Sequence, residues 1–213
     1  MYVPKHFAAP DDEAVRDLLR HHGAADLVTS TADGLRATLL PFVVDEDDAG
    51  APARLLGHVA RTNEQWRLPA LGEALVIVRG PDAYVSPSWY ATKREHGRVV
   101  PTWNYVTAHV YGRLVVHDDP DWVEGLVRRL TAKHEGHRAE PWSVDDAPPQ
   151  YVAGQLRAIV GVEVEVTRVE AKWKLSQNRP EADQEGVLVG LDAEPGAGSH
   201  AVAAAMRDVR DGT

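Results

Sequence analysis

Thr102-Trp103-Asn104-Tyr105-Val106-Thr107-Ala108-His109-Val110-Tyr111 alternates with a period of two. In an extended chain Trp103, Tyr105, Thr107, His109 and Tyr111 fall on one face, and Asn104, Val106, Ala108, Val110 and Gly112 on the other. The wider run 99–116 therefore predicts one long strand. Immediately before it comes Tyr84-Val85-Ser86-Pro87-Ser88-Trp89-Tyr90-Ala91-Thr92-Lys93, so that residues 84–111 hold six of the fourteen aromatic side chains. Two readings stand side by side. One is an aromatic-rich hairpin with a capped turn. The other is a seat for a planar, anionic ligand, with rings for stacking, Ser86, Ser88, Thr92, Thr102 and Asn104 for its edges, and Lys93 for a phosphate.

Outward from this run the chain mixes strands and helices without regular βα alternation. Pro10-Asp11-Asp12-Glu13 opens a helix whose Ala14, Val15, Leu18 and Leu19 share a face, and Gly23 stops it. Residues 26–31 and 35–44 flank Asp33-Gly34, a hairpin signal, and the acidic 45–52 segment reads as a solvated loop before a strand over 53–60. Thr62-Asn63-Glu64-Gln65-Trp66 begins a short helix. Leu75-Val76-Ile77-Val78 reads as a buried strand closed at Gly80-Pro81. Residues 120–135 have helical spacing, with Arg128, Arg129, Lys133, His134, His137 and Arg138 forming a basic but otherwise ordinary solvated face. A short helix over 148–160, a half-exposed strand through Val162, Val164 and Val166, a polar loop 174–180, a helix over 181–191 and an amphipathic segment over 201–209 complete the chain. The order predicts an α+β fold, a mostly antiparallel small barrel with peripheral helices, as one domain over 1–194 and a helical tail over 195–213.

The chain has 213 residues, 44% of them hydrophobic, no cysteine and a formal charge of −9. A core of ordinary size is possible, disulfides and thiolate chemistry are not, and the overall field repels nucleic acid. No stretch reaches the length of a membrane span and the start has no signal-peptide pattern, so a cytoplasmic protein without membrane attachment is expected. Gly-rich phosphate loops, HExxH and GxSxG are absent. The close histidine pairs, His21-His22 and His134 with His137, lack a third ligand, and no metal site is expected. Pro41 interrupts Arg36-Ala37-Thr38-Leu39-Leu40-Pro41-Phe42, which otherwise reads as a strand. It implies an edge strand, a bulge, or a place where a ligand lies alongside.

Six blocks carry a family resemblance: Met1-Tyr2-Val3-Pro4-Lys5-His6-Phe7, Ala37 to Phe42, Gly57-His58-Val59-Ala60-Arg61-Thr62-Asn63 with Trp66, Gly80 to Tyr90, Val100 to Tyr105, and Lys174-Leu175-Ser176-Gln177-Asn178-Arg179. Together they resemble the PaiB family, FMN-binding proteins described as negative transcriptional regulators. The resemblance covers 1–191 and implies an FMN-binding split β-barrel related to pyridoxamine-phosphate-oxidase-like flavoproteins, a homodimer, and FMN at the subunit interface. Glu64 and Leu39 depart from the family pattern, where proline and histidine are expected. Their change bears on the entry of the short helix and on one ligand-facing contact.

On that reading Arg61 and Lys93 meet the phosphate, and Ser86, Thr102 and Asn104 bond phosphate or ribityl oxygens. Trp89, Tyr90 and Trp103 wall the ring system. The Thr38-Leu39-Leu40-Pro41 backbone reads its pyrimidine edge, with His58 nearby, and Gln177 and Arg179 close the site. Each tryptophan is equally readable as core packing. Two functions follow: a regulator in which flavin occupancy or redox state biases a dimer, or a small FMN-dependent oxidoreductase in which His58, His109 and Tyr105 are candidates for proton transfer. A haem-handling barrel is a third, with no histidine singled out as axial ligand. No helix-turn-helix is readable, and with a charge of −9 direct DNA binding is expected to be weak.

Overall fold

Hairpin chemistry at residues 31–34 starts the sheet. Ala32 and Asp33 form the turn with ordinary negative φ, and Gly34 takes the left-handed conformation at φ 103° that a side chain would resist. Thr31 Oγ1 donates to the Gly34 carbonyl at 2.8 Å, which fixes the turn. The flanking strands β1 (Ala25–Thr31) and β2 (Gly34–Leu40) pair antiparallel along their whole length. They join β3 (Val43–Glu46), β4 (Pro52–Ala60), β5 (Ala74–Val85), β6 (Thr102–His117) and β7 (Ile159–Lys174) in one seven-stranded sheet of order β2-β1-β5-β6-β7-β4-β3. Among the described residues six α-helices accompany it: α1 (Asp12–His21), α2 (Thr92–His96), α3 (Pro120–Glu135), α4 (Pro149–Leu156), α5 (Glu181–Ala193) and α6 (Ala197–Asp211). This is the α+β split-barrel class read from the sequence. The structure is a computed structural model and describes residues 1–21 and 23–212, so the His21-His22 pair lies partly outside the described residues.

Two compact units make up the chain: a first of Met1–Leu18, Arg79–Ala108 and Glu170–Thr213, and a second of Leu19–Val78 and His109–Val169. In the second unit, Gly57 of β4 lets the strand approach β2 closely. A Cβ there would sit 2.7 Å from Leu40 Cδ1 and 2.9 Å from the Pro41 carbonyl oxygen. Helix α3 is started by Pro120 and capped by Asp119, whose carboxylate accepts the Asp121 N–H at 3.0 Å. Its Leu126 and Leu130 bury with Val43 and Leu56 against Trp122. The basic face of α3 is tied to carboxylates, Arg128 to Glu124 and Asp145 and Arg129 to Asp45, and Arg138, just after the helix, pairs with Glu135.

The first unit is built around Val85, Tyr90, Val106, Trp173, Leu175, Leu191, Val202 and Met206, so α5 and α6 both supply core. Helix α6 starts at Ala197, inside the Pro195–Ser199 stretch that reads as a separator in the sequence.

Several elements differ from their sequence reading: the run read as one strand over 35–44 is two, β2 and β3, and β3 takes in Asp45 and Glu46 of the segment read as a solvated loop. Strand β5 runs through Gly80-Pro81 instead of ending there. Its register with β1 covers only Leu75–Ile77, so the prolyl nitrogen of Pro81 falls beyond the last β1 partner, and Gly80 is needed because a Cβ would meet Val106 at 2.9 Å. Strand β7 is buried continuously from Val160 to Val164, including Gly161 and Glu163, and is not half-exposed there. Trp122 is the reason at one position: a Cβ on Gly161 would lie 2.2 Å from its ring.

Candidate functional site

The period of β6 sorts its side chains as the sequence predicts. Asn104, Val106, Ala108 and Val110 are buried, while Trp103 is exposed and Tyr105, Thr107 and His109 are half-buried. In the first unit this outward row places Trp103, 54% exposed, edge-to-face with Tyr84, 46% exposed, at 6.2 Å between ring centres. On neighbouring β7, Lys174 Nζ donates to Thr102 Oγ1 at 2.7 Å and to the Trp103 carbonyl. Burial holds this ammonium below the usual lysine range, with the positive charges of Lys172 and Arg179 acting in the same direction.

Ser86 caps the turn before Trp89 by accepting the Ser88 N–H at 3.2 Å. Lys93 Nζ donates to Ser88 Oγ at 3.1 Å, so Ser86, Ser88 and Lys93 form one polar corner. The loop 174–179 folds on itself. Gln177 accepts the Leu175 N–H at 2.8 Å and donates to the Trp173 carbonyl at 2.6 Å, and Ser176 adopts the left-handed region at φ 69°. That conformation delivers the Ser176 hydroxyl to Asn104 inside the core, at 3.0 and 3.1 Å to its amide nitrogen and oxygen. Asn104 and Gln177 thus use their amides to hold the loop.

Trp89 lies on α5, and Tyr90 is buried beneath the Arg179 guanidinium, 4.7 Å from the ring centre. Burial pushes the Tyr90 phenol up, and its hydroxyl is sealed without a hydrogen-bond partner. Asp183, wholly buried, accepts the Thr92 N–H at 2.9 Å and its hydroxyl at 2.8 Å, so this acid starts α2. No local signal in the sequence marks Asp183, because its partner lies 91 positions away.

The remaining candidates belong to the second unit. Thr38 is held by Gln65 and Asn63: its hydroxyl donates to Gln65 Oε1 at 2.6 Å and accepts from Asn63 Nδ2 at 2.9 Å. Buried Gln65 also donates to the Leu27 carbonyl and to Thr29 Oγ1, both at 3.1 Å. The sequence marks only the start of a short helix here and does not single out Gln65; in the structure Asn63 caps that turn by accepting the Gln65 N–H at 2.9 Å. Leu39 is 66% exposed on edge strand β2, and Leu40 is buried. Pro41 follows β2, between it and β3, and so does not sit within a strand.

Arg61 is engaged on all sides. Its guanidinium donates to both Asp118 oxygens at 3.0 and 2.6 Å, to the Arg157 carbonyl at 2.7 Å and to the Ile159 carbonyl at 3.2 Å. The paired guanidinium holds the Asp118 carboxyl below the usual range. His58 lines a separate cavity of about 270 Å³ with Val127, Val144, Val152, Leu156 and Ile159. Burial pushes its imidazole below the ordinary histidine range, and its Nδ1 is sealed without a partner. Among the described residues no group of three or more His, Asp or Glu is placed to hold a metal ion.

The family described as "Putative FMN-binding domain" matches residues 1–168. The protease synthase and sporulation protein PAI 2 of Bacillus subtilis is 34% identical over 209 residues, covering 98% of this chain and 97% of that protein. The chain belongs to this FMN-binding family, which bears out the PaiB resemblance and FMN as the cofactor. The fold recurs in solved structures at low identity. The flavocytochrome Anf3 from Azotobacter vinelandii gives a TM-score of 0.57 at 14% identity, over 81% of this chain and 72% of that one. The FAD and heme binding protein from Mycobacterium smegmatis gives 0.56 at 17%, over 85% of this chain and 79% of that one.

The donor set of the first unit fits the cofactor. FMN carries a flat ring system and a phosphate dianion, and the unit offers exposed rings at Trp103 and Tyr84, the Lys174 ammonium on the Trp103 carbonyl and a second ammonium at Lys93, and among the described residues neither ammonium has a carboxylate partner. When bound, FMN supplies hydride and single-electron chemistry, and the protein supplies orientation.

Proposed function

We propose that the protein is a homodimeric, cytoplasmic FMN-binding regulator of the PaiB type, in which flavin occupancy or redox state biases the shape of the dimer. The observation that carries flavin binding to particular residues is the outward Trp103–Tyr84 pair beside Lys174 and the Ser86, Ser88 and Lys93 corner. Two large rings left half in water have a reason when a third flat ring covers them. In this reading Thr102, Trp103, Lys93 and Arg179 meet the cofactor directly. Trp89, Tyr90, Asn104 and Gln177 shape the surface that does so, whereas Thr38–Pro41, His58 and Arg61 lie in the second unit.

Dimerisation is supported by edge strand β2, where Leu35 and Leu39 face solvent. Regulation through a protein partner or metabolite, and not by tight direct DNA contact, is supported by the charge of −9 and by the α3 arginines already paired with acids. No helix of the described residues is long and apolar enough to cross a membrane. The purified protein should be yellow and release FMN on denaturation, and Trp103→Ala should weaken FMN binding roughly 10-fold, the scale of one ring–ring stack. A colourless protein that does not take up FMN overturns the reading. Sedimentation should give a dimer of the 23.3 kDa chain. Bleaching of bound flavin by NAD(P)H with turnover would replace the regulator with an oxidoreductase.

A further inference from the structure

Strand β7 ends Ala171-Lys172-Trp173-Lys174, so period two puts Trp173 in the core and both lysines on the opposite face. Their ammonium groups converge on the same two rings. Lys172 Nζ lies 5.9 Å from the centre of Phe7 and 5.4 Å from that of Tyr105, and Lys174 Nζ lies 5.9 and 5.8 Å from the same centres. Tyr2 adds a third ring, 5.6 Å from Lys172. The N-terminal segment is fixed there by a β-bridge from Ala8 to Lys172.

The two ammonium groups share two rings, and the Lys174 ammonium is held below the usual lysine range by burial and by the positive charge of Lys172, a residue only 8% exposed. Among the described residues neither has a carboxylate partner. Lys174 uses two of its three donors on Thr102 and Trp103, and Lys172 has ring faces alone. The sealed, unpartnered side-chain polar atoms among the described residues are His58 Nδ1 and Tyr90 Oη, and the Lys172 ammonium is not one of them. Arg61 is committed to Asp118, whereas this pair has donors to offer. A doubly charged oxyanion would answer both ammonium groups at once, and the open ring pair Trp103 and Tyr84 lies in the same unit, beyond Thr102.

We propose that Lys172 and Lys174 form a clamp for a phosphate monoester dianion, the phosphate of a flat aromatic ligand laid along β6. The proposal rests on the FMN reading above for the identity of that ligand, and names Lys172 and Lys174 as the residues that distinguish FMN from riboflavin.

The test compares FMN and riboflavin on the full chain by flavin fluorescence titration, in the wild type and in Lys172→Met, Lys174→Met and the double variant, whose side chains keep an apolar stem. Thermal unfolding of each variant shows that it is folded. The wild type should prefer FMN to riboflavin by about 100-fold, each single variant should lose roughly 10-fold of that preference, and riboflavin affinity should stay within about twofold. A preference that survives in the double variant overturns the clamp. If the wild type takes neither flavin, the FMN reading fails, and inorganic phosphate becomes the probe. Saturable thermal stabilisation of the wild type that is lost in the double variant keeps the clamp, and its absence in the wild type overturns it.

Discussion

The ring of Trp89 lies directly over the backbone of Gly190, where a methyl group would come within 2.2 Å of Trp89 Cδ2. One turn earlier, a Cβ on Gly186 would meet the Trp89 carbonyl oxygen at 2.0 Å. The Gly-x-x-x-Gly spacing on α5 is therefore a groove for the 86–90 turn. Gly190→Ala should cost about 1–3 kcal/mol by overpacking against a rigid ring. In contrast Gly125, in α3 with open space around its Cα, should gain up to about 1 kcal/mol on change to Ala. Chemical denaturation of the two variants checks both signs.

A buried amide in the second unit carries a similar expectation. Gln65→Leu removes an acceptor from Thr38 and donors from Leu27 and Thr29, and leaves those groups without their partner. A loss of about 2–4 kcal/mol is expected from the stranded polar groups, read as a shift in the denaturant midpoint at unchanged slope. A neutral result would mean that water takes over the role of the side chain.

Ser176 separates two costs that usually travel together. Ser176→Ala keeps the strained left-handed backbone and strands the Asn104 amide, whereas Ser176→Gly strands the same amide but relieves the backbone. The glycine variant should therefore be the more stable of the two by about 1 kcal/mol. Equal stabilities would show that the loop rearranges when the hydroxyl is lost.

His58 gives a pH dependence with a definite sign. Burial lowers its folded-state pKa below the unfolded value of 6.5. The unfolded chain therefore binds the proton more readily, and the contribution of His58 to stability is fully present above about pH 6.5 and is lost as pH falls through the lowered native value. Thermal melts from about pH 8 to 5 should fall more steeply for the wild type than for His58→Gln. Parallel curves would place the imidazole in solvent.

Much of the fold was legible because its signals are local. The alternation of Trp103, Tyr105, Thr107 and His109 needs no neighbour to be read, nor does the hairpin at Gly34. Gly80-Pro81 misled because turn chemistry is also local, while its outcome was decided by Val106 and by where the β1 pairing stops. The site was legible as a composition and less so as geometry. Asn104 and Gln177 have ligand-like side chains, yet their partners are Ser176, Leu175 and Trp173. Arg61 has the chemistry for a phosphate, yet Asp118 holds it, 57 positions away. Conversely, nothing in the bare sequence shows that Lys172 and Lys174 share two rings with Phe7, because that depends on the path of the N-terminal segment.

The division of the chain into interleaved segments has a consequence for synthesis. The second unit has all of its residues once Val169 has been made, whereas the first draws on 1–18 and 79–108 and must wait for 170–213. Until then the 84–90 aromatics and Val106 lack α5 and α6, and remain exposed on a nascent chain. A stalled or truncated product ending before Glu181 would therefore offer a sticky, half-built core to chaperones and proteases. Neither unit is one continuous stretch of sequence that could be expressed by itself.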